Sequence, residues 1–430
     1  MSGKRYLQTN VYDAAVERMR ITFDNFDKVC VSFSGGKDSS VTMHLAHQVA
    51  QEKQKKFYVL FIDLEGQYKV TIQHIEEMMS LSTIKQFFWV CLPLNLRNAV
   101  SSFEPFWCCW EPESKEYWVR DLPTYDCVIA DQLYFPFYWY RMEFEHFTPR
   151  FAHWLADGKS FASVVAIRAD ESLNRYRSIV RENKRRFEGY GWTTQVDDPD
   201  NNDAEGIYNV YPIYDWKVQD IWTYVGKHSI AYNRLYDYMY LSGMSLSEMR
   251  ICQPYGDDQR RGLDCFHKIE PDTWFRIVQR VSGANYGAKY ARQKFLGYHR
   301  GLGLPDGQTW ESYAKLLLST MPPVARDHYV KKINVFLKWW ANYCGEDTRL
   351  HTVMPEDEFD ELGLYCSGLI PYSGYEGTEV PDVKEWRDPL WKRIAMCLLK
   401  NDFLCKMLGF SQTKYQAKQY AELKERYADI

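Results

Sequence analysis

Apolar residues recur along the N-terminal part of the chain with two alternating periods. Val11, Ala14, Ala15, Met19, Phe23 and Phe26 fall at helical spacing and predict a helix from Asn10 to about Phe26. Lys28-Val29-Cys30-Val31-Ser32-Phe33 is a short β-rich run, the pattern of a buried strand. A glycine-rich loop follows, and Val41, Leu45 and Val49 then repeat every fourth residue along a second helix. Phe57 to Ile62 predicts the next strand, ending at Asp63; Thr71 to Met79 predicts another helix, and Phe87 to Leu92 a third strand. Strands alternating with helices predict an α/β class fold, a Rossmann-like parallel sheet with helices on both faces.

From Ser101 to about Trp154 the alternation breaks. Trp107, Trp110, Trp118, Tyr134, Phe135, Phe137, Tyr138, Trp139 and Tyr140 crowd a stretch interrupted by Pro105, Pro112, Pro123 and Pro136. It reads as an aromatic-rich insertion near 101–157, partly helical, on the rim of the sheet. A strand returns from Phe161 to Ile167, and the acidic run Asp197 to Glu205 reads as an exposed loop. Beyond Asp215 the pattern is mostly helical. The expected division is a nucleotide-binding domain over 1–245 and a mostly helical C-terminal extension over 246–430.

Composition narrows the classes. With 430 residues, 46% hydrophobic and 26% charged, the chain has the make-up of a soluble globular protein with ample core. A net charge of −4 excludes a uniformly basic nucleic-acid binder and leaves a local basic patch open. The start, Met1-Ser2-Gly3-Lys4-Arg5, does not run into an apolar signal core, and no stretch approaches a membrane span. Eleven scattered cysteines make no disulfide framework, so reduced thiols and a cytoplasmic location are expected.

The chemistry concentrates in Ser34-Gly35-Gly36-Lys37-Asp38-Ser39-Ser40. Paired glycines let backbone N–H groups approach a ligand, and a loop between strand and helix aims those amides and the helix dipole at an anion, phosphate above all. Lys37 adds a charge, and the serines add hydroxyls. The spacing is neither that of a Walker A loop nor that of a dinucleotide GxGxxG. Arg168 closes the predicted strand at 161–167, on the edge where open α/β sheets bind ligands, and its fork suits phosphate or sulfate. Arg175 offers a second fork. A surface ion pair of Arg168 with Asp170 or Glu171 is the alternative. Asp38 and Asp63 are candidates to hold Mg²⁺ through water, or to act as helix caps or ribose contacts. Arg250, Arg260 and Arg261, set among glycines, form a further basic cluster for an anion or a partner.

Val31-Ser32-Phe33-Ser34-Gly35-Gly36-Lys37-Asp38-Ser39 resembles the PP-loop of the adenine nucleotide alpha hydrolases. Three further segments are similar to the phosphoadenosine phosphosulfate (PAPS) reductase branch of that superfamily. These are Phe61-Ile62-Asp63 with Gly66; Ile167-Arg168-Ala169-Asp170-Glu171-Ser172 with Arg175; and Tyr211 to Trp216 followed by Tyr232 to Asp237. The resemblance spans about residues 25 to 245. It implies a site for ATP or for PAPS/APS built from Ser32, Ser34, Gly35, Gly36, Lys37, Asp38, Ser39, Ser40, Asp63, Arg168, Glu171, Ser172 and Arg175. Lys37, Asp38 and Arg168 would be its catalytic members.

The chain also departs from that branch. The reductases act through a tail Glu-Cys-Gly-[Ile/Leu]-His segment, whereas the last cysteines here, Cys397 and Cys405, lie in core-like helical contexts. Cys108-Cys109 supplies a pair but no Cys-x-x-Cys exists, which argues against an iron–sulfur cluster. Zinc held by some of Cys108, Cys109, Cys127, Cys252, Cys265 and His267 stays an alternative to ordinary buried thiols. Three functions compete: an ATP pyrophosphatase-type enzyme acting at the α-phosphate, a PAPS/APS-dependent reductase or sulfur-transfer enzyme, and a nucleotide-binding regulator or nucleic-acid-associated module. Lys184-Arg185-Arg186 with the aromatic insertion is the feature behind the last. This long branch resembles bacterial proteins encoded beside a ParB/sulfiredoxin-like protein, which implies such a partner.

Overall fold

A computed structural model of the chain describes residues 7–101, 103–172, 175–176, 179, 185–196, 206–246, 248–251, 255–256, 263–284, 304–343, 350–351, 359–365, 370–371 and 383–410. Two compact units are formed, one from residues 1–96 and 107–281, the other from 97–106 and 282–430.

The first unit begins with α1 (Val11–Asn25), whose N-cap Asn10 accepts the Asp13 amide at 2.9 Å and so satisfies an otherwise orphan donor. Its Ala15, Val16, Met19 and Phe23 are buried, the face that the apolar spacing predicts. Then follow β1 (Lys28–Ser32), α2 (Lys37–Glu52), β2 (Phe57–Ile62), α3 (Lys69–Met78) and β3 (Ile84–Val90). β4 (Leu94–Arg97) follows; the insertion then contributes β5 (Phe106–Cys109), β6 (Val128–Ile129) and β7 (Met142–Glu143), and ends in α4 (Phe144–Ala156). After β8 (Phe161–Val165), β9 (Thr193–Gln195) and β10 (Ile207–Val210) come α5 (Val218–His228), α6 (Leu235–Leu241), α7 (Leu263–Ile269) and α8 (Pro271–Arg280).

The main sheet has seven strands in the order β6-β3-β2-β1-β8-β10-β9, parallel throughout except for the last pair. Phe57, Tyr58, Val59, Leu60 and Phe61 are all buried, so both faces of β2 are covered, as in sheets flanked by helices. The chain runs outward from β1 through β2 and β3 on one side, then returns to place β8 against β1 on the other. Where the order reverses, the loops after neighbouring strands diverge and leave a crevice at the carboxyl ends. The insertion is partly helical, as expected, through α4 and a 3-10 turn at Pro112–Tyr117. Before α4 it holds short strands among turns, and β6 adds an edge strand to the main sheet through Trp89 and Val128. Short strands among prolines carry too little periodicity to be seen in sequence. The acidic run 197–205 lies outside the described residues.

The second unit contains α9 (Trp310–Ser319), α10 (Pro323–Tyr343), the antiparallel pair β11 (Leu350–His351) and β12 (Ile370–Pro371), and α11 (Val383–Leu399). Its core gathers Leu318, Tyr329, Ile333, Trp391 and Ile394. The His328 ring stacks on Phe403 at 3.7 Å, and Arg97 lies over that same ring while donating to the Asn401 carbonyl at 2.7 Å.

Candidate functional site

The loop after β1 and the loop after β8 meet at the switch point. Gly35 holds φ +72, a left-handed conformation, and a Cβ on it would lie 3.0 Å from Ile75 and 3.1 Å from Thr71, so only glycine fits there. Gly36 has ordinary φ of −82 and is the N-cap of α2. The loop's hydroxyls are tied inward. Ser34 Oγ sits 3.1 Å from Ser39 Oγ, and Ser39 and Ser40 each donate to the Gly36 carbonyl at 3.0 Å. Ser32 ends β1.

The charged groups converge on Asp38. Lys37 Nζ stands 3.3 Å from its carboxylate, and Arg168 Nε pairs with its other oxygen. Lys37 and Arg168 are both only 4% exposed, which sets this pairing apart from a surface salt bridge. The surface pairing of Arg168 with Asp170 or Glu171 is thus not what the structure shows. Glu171 instead binds Arg175 at 2.7 Å and faces Arg250 at 3.8 Å, and its carbonyl accepts from Arg250 at 3.0 Å. Ser172 Oγ accepts the Arg175 amide at 3.2 Å. The segment after β8 and Arg250 are therefore brought together; Arg260 and Arg261 lie outside the described residues.

Asp63 is placed differently. It is fully buried, accepts from Trp89 Nε1 at 2.7 Å and the Glu65 amide at 3.0 Å, and pairs with Arg120 of the insertion. Glu65 beside it is also fully buried, held by Arg280 at 3.0 Å and by the amides of Trp110 at 2.7 Å and Val119 at 3.0 Å. Burial pushes the Glu65 carboxyl up, against Arg280 and the two amides. These two carboxylates lock the insertion to the end of β2. Asp38 and Asp63, the two Mg²⁺ candidates, are each paired with an arginine, Arg168 and Arg120. Among the described residues no group of three or more His, Cys, Asp or Glu is placed to hold a metal ion. Cys265 is buried, 3.3 Å from the Met244 sulfur, whereas His267 is exposed, so the two do not face one site; Cys252 lies outside the described residues.

Several residues of the site were not singled out from sequence. Tyr236 accepts the Lys37 amide at 2.9 Å, Asn233 Nδ2 donates to the Gly35 carbonyl and to Thr71 Oγ1, both at 3.0 Å, and Met249 O accepts from Lys37 Nζ at 3.2 Å. The stretch Tyr232 to Asp237 carried the signal for the first two, without a role. His74 is 2.7 Å from Ser40 Oγ through Nε2. The ring's tautomer sets which of the two atoms donates. Burial, then the neighbouring His44, pulls the His74 pKa down to about 4; burial, then His47, does the same to His44. In the unfolded chain both take up protons near the usual value of about 6.5, so the unfolded state binds more protons between the two values. Stability against urea is therefore expected to fall as pH drops from about 6.5 towards about 4 and to be flat with respect to these groups above that. A His74→Gln variant, which can still hydrogen-bond to Ser40, should show a shallower dependence; an unchanged slope would remove His74 from the account.

The Phosphoadenosine phosphosulfate reductase domain model matches residues 28–100 and 145–243, leaving out residues 101–144 of the insertion, and a Domain of unknown function (DUF3440) matches residues 243–419. The chain is 39% identical over 427 residues to Uncharacterized protein YbdN of Escherichia coli (strain K12), covering 98% of this chain and 95% of that one. It is 24% identical over 250 residues to Uncharacterized protein MJ0973 of Methanocaldococcus jannaschii, covering 56% of this chain and 48% of that one. Among solved structures, a PAPS reductase from Candida auris in a phosphate complex aligns over 55% of this chain and 94% of its own at 13% identity and a TM-score of 0.30, too slight to bear on the assignment. No helix among the described residues is long and apolar enough to cross a membrane. On the domain match and the full-length relative, the chain belongs to the PAPS reductase-like family of the PP-loop adenine nucleotide alpha hydrolases, in a form that carries an additional C-terminal region.

Proposed function

We propose that this protein binds an adenine nucleotide across the carboxyl ends of β1 and β8 and acts at its α-phosphate, as an ATP pyrophosphatase does. The supporting observation is the burial of Lys37 and Arg168 on either side of one carboxylate at the switch point of the sheet. Two fixed cations beside a helix N-terminus stabilise negative charge that grows on phosphate oxygens. An acceptor nucleophile forms a bond to the α-phosphorus, the bond from that phosphorus to the bridging oxygen breaks, and pyrophosphate leaves with the electron pair. The test is pyrophosphate release from ATP, with water or an added nucleophile as acceptor. Release by the parent and its loss in Arg168→Ala support the reading; no release from ATP that is demonstrably bound would overturn it.

A second reading, PAPS- or APS-dependent sulfonate reduction, is favoured by the family itself. It requires a thiol from elsewhere. Cys397 and Cys405 are 1% and 0% exposed, and hydrogen bonding to Cys405 together with burial pushes the Cys397 thiol well above its ordinary range. A thiol so protonated and enclosed is a poor nucleophile. Replacing both by alanine is expected to leave turnover within about two-fold of the parent while lowering stability by roughly 1–3 kcal/mol for the lost buried groups. Sulfite production from PAPS with an external dithiol, abolished in a folded double variant, would instead restore a thiol role for this pair.

A further inference from the structure

A phosphate entering the loop needs the first amides of α2 and the cations beside them. In the structure those groups already have partners in the chain. The Lys37 amide donates to the Tyr236 hydroxyl, Lys37 Nζ donates to the Met249 carbonyl and stands beside Asp38, and Arg168 is paired with Asp38. Tyr236 is 3% exposed, and a Cβ on Gly36 would sit 3.4 Å from its hydroxyl. The phenol thus stands over the glycine that the loop keeps bare.

Its position is well supported. The ring packs edge-on to Trp222 at 5.4 Å, and Lys37 Nζ lies 5.3 Å from its centroid. Asn233, three residues earlier, caps the Leu235 amide at 2.9 Å and grips the Gly35 carbonyl, so the start of α6 is bolted to the loop.

We propose that Tyr236 is an internal ligand of the PP-loop, a neutral hydroxyl that holds the first α2 amide and must withdraw before a nucleotide phosphate takes its place. This rests on the nucleotide reading above and adds a residue that sets the affinity. The phenol competes for one donor, so removing only its oxygen leaves that amide in search of an acceptor and favours the bound form.

Tyr236→Phe keeps the ring against Trp222 and removes the acceptor. Calorimetric titration with ATP and with PAPS is expected to show binding tighter by about two- to ten-fold than in the parent, the value of one neutral hydrogen bond. Amide exchange of the Lys37 peptide, measured without any nucleotide, is expected to quicken in the variant. Equal or weaker nucleotide binding by Tyr236→Phe, with binding by the parent intact, would overturn the proposal and leave the nucleotide site standing. Unchanged exchange at Lys37 would overturn it independently of any ligand. No binding of either nucleotide by parent and variant alike would remove the nucleotide reading, and this proposal with it.

Discussion

Gly36→Val is expected to weaken nucleotide binding by at least about a hundred-fold while the chain still folds. The backbone at Gly36 has φ −82 and ψ 161, a conformation in which valine is comfortable. The side chain, however, would rise from the N-cap of α2, with its Cβ already 3.4 Å from Ser34 Oγ and from the Tyr236 hydroxyl. Its two methyl groups would fill the space through which a phosphate reaches the loop amides. Losing two charge-assisted hydrogen bonds, at roughly 1.5–3 kcal/mol each, accounts for the magnitude. Gly35→Val is the informative contrast. There φ is +72 and Ile75 stands 3.0 Å away, so that change should destabilise the fold by about 1–3 kcal/mol or more before binding is considered. Calorimetry and thermal unfolding together separate the two. Parent-like affinity in a folded Gly36→Val protein would place the nucleotide elsewhere.

Arg168→Ala should weaken nucleotide binding by about ten- to a hundred-fold, the value of one or two buried charge-assisted contacts. Arg168→Lys should recover only part of this, because an ammonium cannot reproduce a bidentate fork. Arg20 supplies the comparison: it pairs with Glu52 at 2.9 Å, with side chains 40% and 42% exposed, where solvent screening leaves the pair weak. Arg20→Ala should leave nucleotide affinity unchanged. Affinity losses that are equally negligible for Arg168→Ala and Arg20→Ala would confine Arg168 to holding Asp38.

The α/β alternation from Asn10 to Leu92 was legible because each element repeats its apolar period for long enough to be distinct. The glycine loop was legible because two glycines, a lysine and three serines stand together between a strand and a helix, both marked by their own apolar periods. Arg168 and Glu171 were legible through family resemblance, as was the stretch from Tyr232 to Asp237, although no role for Tyr236 followed from it. The insertion was legible as an interruption, but its short strands were not. Its edge strand β6 is two residues long, and its meaning lies in Trp89 and Val128 pairing across the sheet.

By itself, then, the sequence determined the order of elements from Asn10 to Leu92, the glycine loop and the arginine at a strand end, since these depend on local periodicity and on residue chemistry over a few neighbouring positions. Only the tertiary structure decided what each charge faces. Asp38 takes Lys37 and Arg168, Asp63 takes Arg120 across 57 positions, and Glu65 takes Arg280 across 215. Tyr236 reaches Lys37 across 199. Partners so far apart leave no periodic trace, because their meeting depends on how the sheet orders its strands. Burial then gives each meeting its strength, by withdrawing the competing water.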